Sequence, residues 1–293
     1  MSQADRKKVG GVGGQMRGAT PETNLLPWLD RDPSLTRLVE RLRKGVEKQY
    51  FVTGSFDLEI HDDRIADCVF DGFNHDRKSD QVVVKLTTST TEINFFRQVN
   101  RSRTAGQAVH HIVEWRAGGD VDFLGVGSCK ALVLQRGACT MKEKFAQNRL
   151  YATDKNNCVF HVVKALEYVH TLRYIHGNLT LENVMMFSRG EIKLIDFANT
   201  VALNADMPLH CTPEYCPPEM AKCIVNGLRP LKASPSYDVW CLGVFILKLF
   251  SPNLQLQEFV NLSDEDVPQF AAEKHAAICS RSQPGHSIKP SGR

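Results

Sequence analysis

Short apolar, β-favouring runs separated by polar turns dominate the first half of the chain, whereas a helical period dominates the second half. Four runs predict strands, at residues 56–60, 67–70, 81–86 and 131–135. One helical segment, 92–101, stands between the third and fourth runs. The pattern predicts a small sheet-rich unit that carries one helix.

From residue 142 onward the apolar positions recur at helical spacing, interrupted by one predicted hairpin. Residues 157–170 predict one helix, and the apolar stretch that begins at Tyr237 predicts another. Between them, residues 184–187 and 191–194 predict a pair of short strands. The second half is therefore expected to be mainly helical, and the predicted fold class is α+β.

The segment before the first strand carries weaker signals. Asp32 and Pro33 can open a helix within residues 25–50, because Asp caps helices and Pro suits their first turn. Residues 1–24 are Gly-rich and basic, which predicts a disordered tail and no secretory signal. No membrane span is expected, because the longest apolar stretch, 239–247, is far shorter than the roughly 18 residues that a span needs.

The composition suits a globular protein with two lobes or two domains. The 293 residues are 42% hydrophobic and 24% charged, and the net charge is only +3. So weak a net charge gives no reason to expect nucleic acid as a partner. Nine cysteines without a C-x-x-C pair favour reduced thiols, which fits a cytoplasmic or nuclear protein. The spacing of Cys211, Cys216 and Cys223 favours packing over a metal cluster.

One segment carries most of the candidate chemistry: residues 176–198 read HGNLTLENVMMFSRGEIKLIDFA. This run resembles the catalytic core of the eukaryotic protein kinases, in which H-R-D-L-x-x-x-N precedes a β-hairpin and D-F-G. The matching residues are His176, Asn183, Asp196 and Phe197. The residues that depart from the pattern are Gly177, Asn178, Thr180 and Ala198.

The resemblance covers about residues 51–250 and implies a bilobal protein-kinase-like fold. A small β-rich N-lobe is expected at residues 51–137 and a mainly helical C-lobe at 138–250. A complete kinase C-lobe continues for several more helices, so a truncated C-lobe is expected here, with a truncated gene product as one explanation. Residues 251–293 are expected to form a divergent or disordered tail.

The strand ending at Lys85 reads VVVK and resembles the V-A-I-K strand of the kinases. The resemblance implies that Lys85 neutralises the α- and β-phosphates of ATP, held by a glutamate of the following helix. Glu92 opens a segment similar to that helix and is the candidate glutamate. An exposed helix glutamate, only seven residues after Lys85, is the alternative.

The glycine-rich loop that covers the phosphates in kinases is altered here. Asp62, Arg64 and Asp67 stand where the pattern G-x-G-x-x-G has glycines, counted back from Val69. A carboxylate about 5 Å from a phosphate charge costs about 3 kcal/mol at an effective dielectric near 20. Arg64 can offset part of that cost by pairing with a phosphate.

Residues 132–137 resemble the fifth strand and the hinge, whose backbone groups bind adenine in kinases. The resemblance makes Leu134 the gatekeeper and places Gln135 and Arg136 beside the adenine. An ordinary buried strand that enters a turn would show the same pattern.

The catalytic loop lacks two groups that phosphate transfer uses in kinases. Asn178 occupies the position of the aspartate that takes the substrate proton, and an amide cannot take a proton. Thr180 replaces the lysine that neutralises the moving phosphate. General-base assistance is worth about 10²- to 10⁴-fold, so transfer is expected to be impaired.

The metal-binding positions are filled with oxygen donors. Asn183 matches the second metal ligand of the kinases, and Asp196 matches the aspartate that holds Mg²⁺. Both residues are also common turn formers, but the residues between them fit the kinase pattern. The resemblance therefore implies ATP with Mg²⁺ as the cofactor.

Downstream, residues 211–219 read CTPEYCPPE and resemble the kinase segment that docks the substrate. Thr212 would bond the catalytic aspartate and lysine, and neither is present here. Neither Arg281 nor Arg293 is an obvious partner for Glu219. A buried, unpaired glutamate would loosen the large lobe, and the alternative is that the tail packs in its own way. Asp238 matches the aspartate that holds the catalytic-loop backbone. Gly177 replaces an arginine that binds an activation-segment phosphate.

Three functional hypotheses follow. The first is a pseudokinase that binds Mg-ATP, is impaired in phosphate transfer and acts by binding a protein partner. The second is a weakly active serine/threonine kinase that acts on a protein substrate. The third is a scaffold that binds no nucleotide, because Asp62 and Asp67 exclude the phosphates.

Overall fold

The computed structural model describes residues 58–66, 69–74, 77–107, 109–123, 127–147, 151–251, 259 and 261–281. Within these ranges only the backbone is described at 58–66, 77–78, 121–123, 127–128 and 274–281. The helix expected within 25–50 and the tail expected at 1–24 lie outside the described residues.

A five-stranded antiparallel sheet forms the first lobe. Its strands are β1 (Leu58–Ala66), β2 (Val69–Asn74), β3 (Arg77–Thr87), β4 (Trp115–Phe123) and β5 (Gly127–Gln135). They are ordered β1-β2-β3-β5-β4. Along β3, Val82, Val84 and Leu86 are fully buried on one face, so Lys85 points from the opposite face.

Helix α1 (Thr90–Thr104) follows β3 after only two residues. The Ser89 hydroxyl caps it by accepting a hydrogen bond from the Glu92 amide at 3.2 Å. Ile93, Phe95, Phe96 and Val99 are buried at helical spacing, so this face of α1 packs into the core. The short connection fixes the start of α1 close to the end of β3.

The second lobe is mainly helical. Its helices are α2 (Met141–Ala146), α3 (Ala152–Thr171), α4 (Pro218–Asn226), α5 (Pro235–Phe250) and α6 (Asp266–Arg281). Its short strands are β6 (Cys139–Thr140), β7 (Tyr174–Ile175), β8 (Val184–Met186), β9 (Ile192–Leu194) and β10 (Val201–Ala202). Among its described residues there are also two 3₁₀ turns, Ser188–Gly190 and Pro213–Tyr215. None of the described helices is long and apolar enough to cross a bilayer. The predicted α+β fold is confirmed.

Helix α6 lies beside α4 and the turn Pro213–Tyr215. It falls inside residues 251–293, the segment expected to be a divergent or disordered tail. Part of that segment is therefore helical and packed on the large lobe. The domain boundaries themselves stay a prediction.

The two lobes meet where the segment after α1 joins β9. The Leu194 amide donates to the His111 carbonyl at 2.9 Å, and the Val113 amide donates to the Leu194 carbonyl at 3.1 Å. Ile112, fully buried, lies in the same apolar core as residues of both lobes. This joint lies two residues from Asp196 and holds β9 against the small lobe.

Strand β4 was not predicted, because its sequence WRAGGDVDF carries two glycines where a strand interior is disfavoured. Trp115 explains the first of them. A Cβ on Gly118 would lie 2.9 Å from Trp115 Nε1 and 2.7 Å from the Ala131 carbonyl oxygen. The indole therefore folds back over the strand, and only glycine leaves room for it.

A histidine pair beside the lobe joint predicts acid sensitivity. His111 Nδ1 and His161 Nδ1 lie 2.8 Å apart, so at least one of them must be unprotonated. Burial is the main cause that lowers the pKa of both side chains below 6.5. Neighbouring positive groups lower the pKa of His111 further, namely those of His161, His110, Lys164 and Lys193. Glu191 acts in the opposite direction on the pKa of His161. Since the unfolded chain binds these protons more readily, stability should fall as the pH drops from about 7 to about 5.

Thermal unfolding at pH 7 and pH 5 checks this expectation. We expect the melting temperature of the parent to fall with pH, and the fall to be smaller in His161→Gln, which removes one titrating partner. An equal fall in both proteins would show that this pair does not contribute to acid sensitivity.

Candidate functional site

A buried lysine joins the sheet, helix α1 and the large lobe in the cleft between the lobes. The Lys85 nitrogen lies 3.1 Å from Glu92 Oε1 and 2.6 Å from Asp196 Oδ1. The exposed fractions of the three side chains are 6%, 1% and 12%, so water screens these ion pairs little. Removing one partner from a buried pair costs about 3–5 kcal/mol. The structure thus brings together Lys85, Glu92 and Asp196. The sequence predicted Glu92 as the partner of Lys85, but it did not pair Asp196 with that lysine.

Asp196 has an unusual backbone and an ionised side chain. Its φ of 57° lies in the left-handed region, which Asp tolerates better than most residues. Its Oδ1 also accepts a hydrogen bond from the Ala198 amide at 3.3 Å. Burial alone would raise the pKa of Asp196, but the charge and hydrogen bond of Lys85 outweigh burial and lower it. The carboxylate therefore stays charged and able to bind a cation.

Phe197, the residue after Asp196, packs against aromatic rings of both lobes. Its ring is fully buried and stacks on Phe95, with ring centroids 4.3 Å apart. Phe96 and His176 meet the same ring edge-on, with centroids 5.4 Å and 5.0 Å away. Contacts between aromatic rings therefore link helix α1, through Phe197, to the loop that follows β7.

The backbone of the loop after β7 is held by hydrogen bonds to one buried carboxylate. Asp238, fully buried near the start of α5, accepts from the His176 amide at 2.8 Å and the Gly177 amide at 2.9 Å. Its Oδ2 lies 2.8 Å from His170 Nε2. Three polar groups would lose their acceptor without Asp238, so this residue fixes the loop backbone.

Gly177 and His176 fix the loop further. Gly177 has a φ of 78°, and a Cβ on it would lie 2.4 Å from the Asn199 carbonyl oxygen. The local backbone therefore favours glycine here. His176 Nε2 donates to the Ile195 carbonyl at 3.0 Å, which leaves Nδ1 to accept from the Asn178 amide.

Asn178 keeps a contact that the sequence reasoning expected to be lost. The Thr212 hydroxyl donates to Asn178 Oδ1 at 2.8 Å, because an amide oxygen accepts as a carboxylate oxygen does. Thr180 is 3% exposed. Two residues further on, the Glu182 carboxylate pairs with Lys142 at 2.5 Å. The loop keeps its hydrogen bonds but presents neither a carboxylate nor a cation at these two positions.

The β8–β9 hairpin sets the two candidate metal ligands side by side. The Ile195 amide donates to the Asn183 carbonyl at 2.9 Å, so Asn183 lies beside the residue that precedes Asp196. Asn183 Nδ2 donates to the Asn178 carbonyl at 2.9 Å, which leaves the amide oxygen as the group able to bind a cation. Carboxylate and amide oxygens are the donors that Mg²⁺ prefers, so these residues fit that ion.

Comparison with known proteins now decides the family. The model of the protein kinase domain matches residues 122–283, which is more than half of the chain. The chain belongs to the protein kinase family. The match extends past residue 250, where the kinase-like pattern was expected to end, and includes α6.

Curated relatives are kinases or carry kinase in their names. Human myotonin-protein kinase is 30% identical over 116 residues, covering 38% of this chain and 18% of that protein. Human serine/threonine-protein kinase MRCK beta is 30% identical over 93 residues, covering 30% of this chain and 5% of that protein. Human CaM kinase-like vesicle-associated protein is 34% identical over 115 residues, covering 38% and 22%. The chain spans less than a quarter of the length of these relatives.

The segment that corresponds to the phosphate-binding loop of the kinases is described only in part, and there only for its backbone. Residues 62 and 64 lie in β1, between Ile60 and Ile65, where the pairing with β2 changes register. Residue 67 lies outside the described residues. The expected phosphate contacts of Asp62, Arg64 and Asp67 therefore stay predictions.

The kinase hinge is tied to both lobes by its side chains. Leu134 is 8% exposed and pairs with Val83 of β3. Gln135 Oε1 accepts from Lys193 Nζ at 2.8 Å. Arg136 donates to Asp71 Oδ2 of β2 at 2.9 Å. The positions of these residues match the predicted hinge, and their contacts with a nucleotide stay predictions.

One expectation from the kinase resemblance is wrong. Glu219 was expected to be buried without a partner, but it is exposed at the first turn of α4. The neighbouring Glu214 forms the ion pair of this region, with Lys248 of α5. Glu219 therefore carries no burial penalty that would loosen the large lobe.

Sequence reasoning missed two features of this kinase site. The first is the aromatic pair Phe95 and Phe96, which packs on Phe197; adjacent aromatics on the buried face of a predicted helix were the signal. The second is Asp71, a lone carboxylate in the apolar run VFDGF. Its side chain is 6% exposed, and a buried carboxylate requires a partner from another part of the chain.

Asp238→Ala tests the anchoring of the loop. The substitution leaves two backbone amides buried without an acceptor, so the free energy of unfolding should fall by about 3–5 kcal/mol, measured by urea denaturation. Asp264→Ala, at an exposed position, should change it by less than about 0.5 kcal/mol. Equal effects of the two substitutions would refute the anchoring role.

Proposed function

We propose that this chain is a pseudokinase: it binds a magnesium nucleotide between its lobes, transfers phosphate poorly and acts by binding a protein partner. The observation that carries the proposal is a contrast within one site. Lys85, Glu92 and Asp196 are joined by buried ion pairs, while the Asn178 amide occupies the position of the base.

The nucleotide side of the site has suitable chemistry. Lys85 supplies a buried positive charge for phosphate oxygens, and Glu92 keeps it in place. Asp196 and Asn183 would hold Mg²⁺, which would screen the phosphate charges when bound. Because the pKa of Asp196 is lowered, its carboxylate needs no deprotonation before it takes a cation.

The transfer side lacks the groups that a kinase uses. The Asn178 amide can position a hydroxyl by hydrogen bonding but cannot accept its proton, which forfeits about 3–5 kcal/mol of barrier lowering. Thr180 cannot neutralise phosphate charge, since its hydroxyl is neutral. Both losses act on the reaction and leave nucleotide binding untouched.

The site is assembled without a phosphorylated activation segment. No Ser, Thr or Tyr occurs between Val201 and Cys211, and Gly177 offers no cation for a phosphate. Phe197 nevertheless contacts both Phe96 of helix α1 and His176 of the catalytic loop. This favours a fixed conformation that a protein partner recognises, over one switched by phosphorylation. A cytoplasmic or nuclear location is part of the proposal, because the seven cysteines that the structure describes are free thiols, as is usual for proteins of reducing compartments.

A weakly active serine/threonine kinase is the second candidate. The hydrogen bond between Thr212 and Asn178 favours it, because the catalytic loop keeps the geometry that positions a substrate hydroxyl. A scaffold that binds no nucleotide is the third candidate, and the carboxylates predicted in the phosphate loop favour it.

Titration with ATP separates the three candidates. We expect the melting temperature of the parent to rise with millimolar ATP and Mg²⁺, and the rise to be lost in Asp196→Ala, because the variant loses a ligand of the cation. Asp264→Ala, which removes a carboxylate at an exposed position, is the control and should retain the rise. No stabilisation of the parent by ATP would support the scaffold and refute nucleotide binding.

Restoring the missing groups tests the cause of the defect. The double variant Asn178→Asp with Thr180→Lys should raise phosphate transfer to a generic protein substrate by about 10²-fold or more, measured with radiolabelled ATP. Parent activity equal to that of the double variant, and abolished by Asp196→Ala, would refute the pseudokinase proposal and favour the weak kinase.

A further inference from the structure

The strand register shows which side chains share the face of the sheet that carries Lys85. Residues paired across antiparallel strands point to the same face, and every second residue along a strand does so too. The rows on this face are Val69–Lys85–Leu132, then Asp71–Val83–Leu134, then Phe73–Gln81. Lys85 and Gln81 are four residues apart, about 13 Å along the strand. A nucleotide with its phosphates at Lys85 would therefore place its base near the second and third rows.

An ion pair with a buried carboxylate occupies this base end. Asp71 lies opposite Val83, and its side chain is only 6% exposed. Arg136 reaches it from the hinge, with Nη2 2.9 Å from Asp71 Oδ2. Arg136 Nη1 also lies 3.4 Å from Gln81 Oε1, and the Arg136 amide donates to the Gln81 carbonyl at 3.4 Å. Arg136 thus ties the hinge to the roof of the cleft at the row where a base would lie.

A methionine closes the same place from the large lobe. A Cβ on Gly137 would lie 2.0 Å from Met185 Sδ and 2.4 Å from Met185 Cγ, so the thioether rests directly on the hinge backbone. The Ala138 amide donates to the Met186 carbonyl at 2.7 Å and keeps β8 close to the hinge. The hinge is therefore contacted independently by Asp71 of the small lobe and by Met185 of the large lobe.

We propose that Asp71, Arg136 and Met185 form a gate that a purine base must displace to enter the cleft. The base edge would bind hinge backbone that Met185 covers, and its ring would lie beside a buried carboxylate in place of an apolar wall. This inference rests on the proposed function, since it assumes that a nucleotide binds with its phosphates at Lys85. The gate would set the affinity for the base, whereas the phosphate loop would set the affinity for the phosphates.

Adenosine is the probe, because it has no phosphate and its binding does not need Lys85, Asp196 or Mg²⁺. Isothermal titration should give a dissociation constant about tenfold lower for Asp71→Ala with Arg136→Ala than for the parent, if the gate is open about one tenth of the time in the parent. Removing both charges together avoids leaving the Asp71 carboxylate buried and unpaired.

Arg116→Ala is the matched control, because Arg116 is 30% exposed against 31% for Arg136 and also pairs with a carboxylate of the small lobe. Its adenosine affinity should equal that of the parent. Met185→Ala gives a second test that leaves no buried charge, and it too should tighten adenosine binding.

The outcomes separate the gate from the proposed function. Equal adenosine affinities in the parent, the double variant and Met185→Ala would overturn the gate, even if the parent binds Mg-ATP. Tighter adenosine binding in the variants supports the gate, even if neither the parent nor the variants bind Mg-ATP. In that case the proposed binding of a magnesium nucleotide fails, because the phosphates are not bound. If the double variant does not fold, the result of Met185→Ala decides.

Discussion

The ammonium group of Lys85 is the point on which the site depends. A buried cation is tolerated only when carboxylates surround it, and here one comes from helix α1 and one from the end of the β8–β9 hairpin. Because only two residues join β3 to α1, the pair with Glu92 also fixes where the helix starts. The pair with Asp196 draws the large lobe to the sheet. One charge thus links the sheet, helix α1 and the large lobe at the site.

The catalytic loop separates two properties that an aspartate combines. A carboxylate both accepts hydrogen bonds and takes a proton, whereas an amide of nearly the same shape only accepts and donates hydrogen bonds. Asn178 therefore keeps its bond to Thr212 and the loop keeps its position. Asp238 holds the loop from the other side, independently of the residue at 178. A kinase fold can in this way lose basicity without losing geometry.

The elements that were predicted correctly share a local signal. The run at 81–86 and the helix at 92–101 have strong periodicity, and the catalytic segment has fixed spacing that any chain with this fold must keep. Strand β4 was missed because its glycines are permitted only by Trp115 folding over Gly118, a contact that its own composition does not reveal. The burial of Glu219 was wrong because exposure depends on which helix packs beside it, and the ion pair of that region uses Glu214 and Lys248 instead.

The sequence by itself determined the strongly periodic strands and helices, the resemblance to the kinases and the chemical identity of each side chain at the site, because these follow from local periodicity and motif spacing. Only the tertiary structure decided which charges meet. Lys85 and Asp196 are far apart in sequence, as are Asp71 and Arg136, and each pair forms because the sheet register and the hinge bring the partners within hydrogen-bond distance. Long-range contacts of this kind depend on packing, which no local pattern encodes.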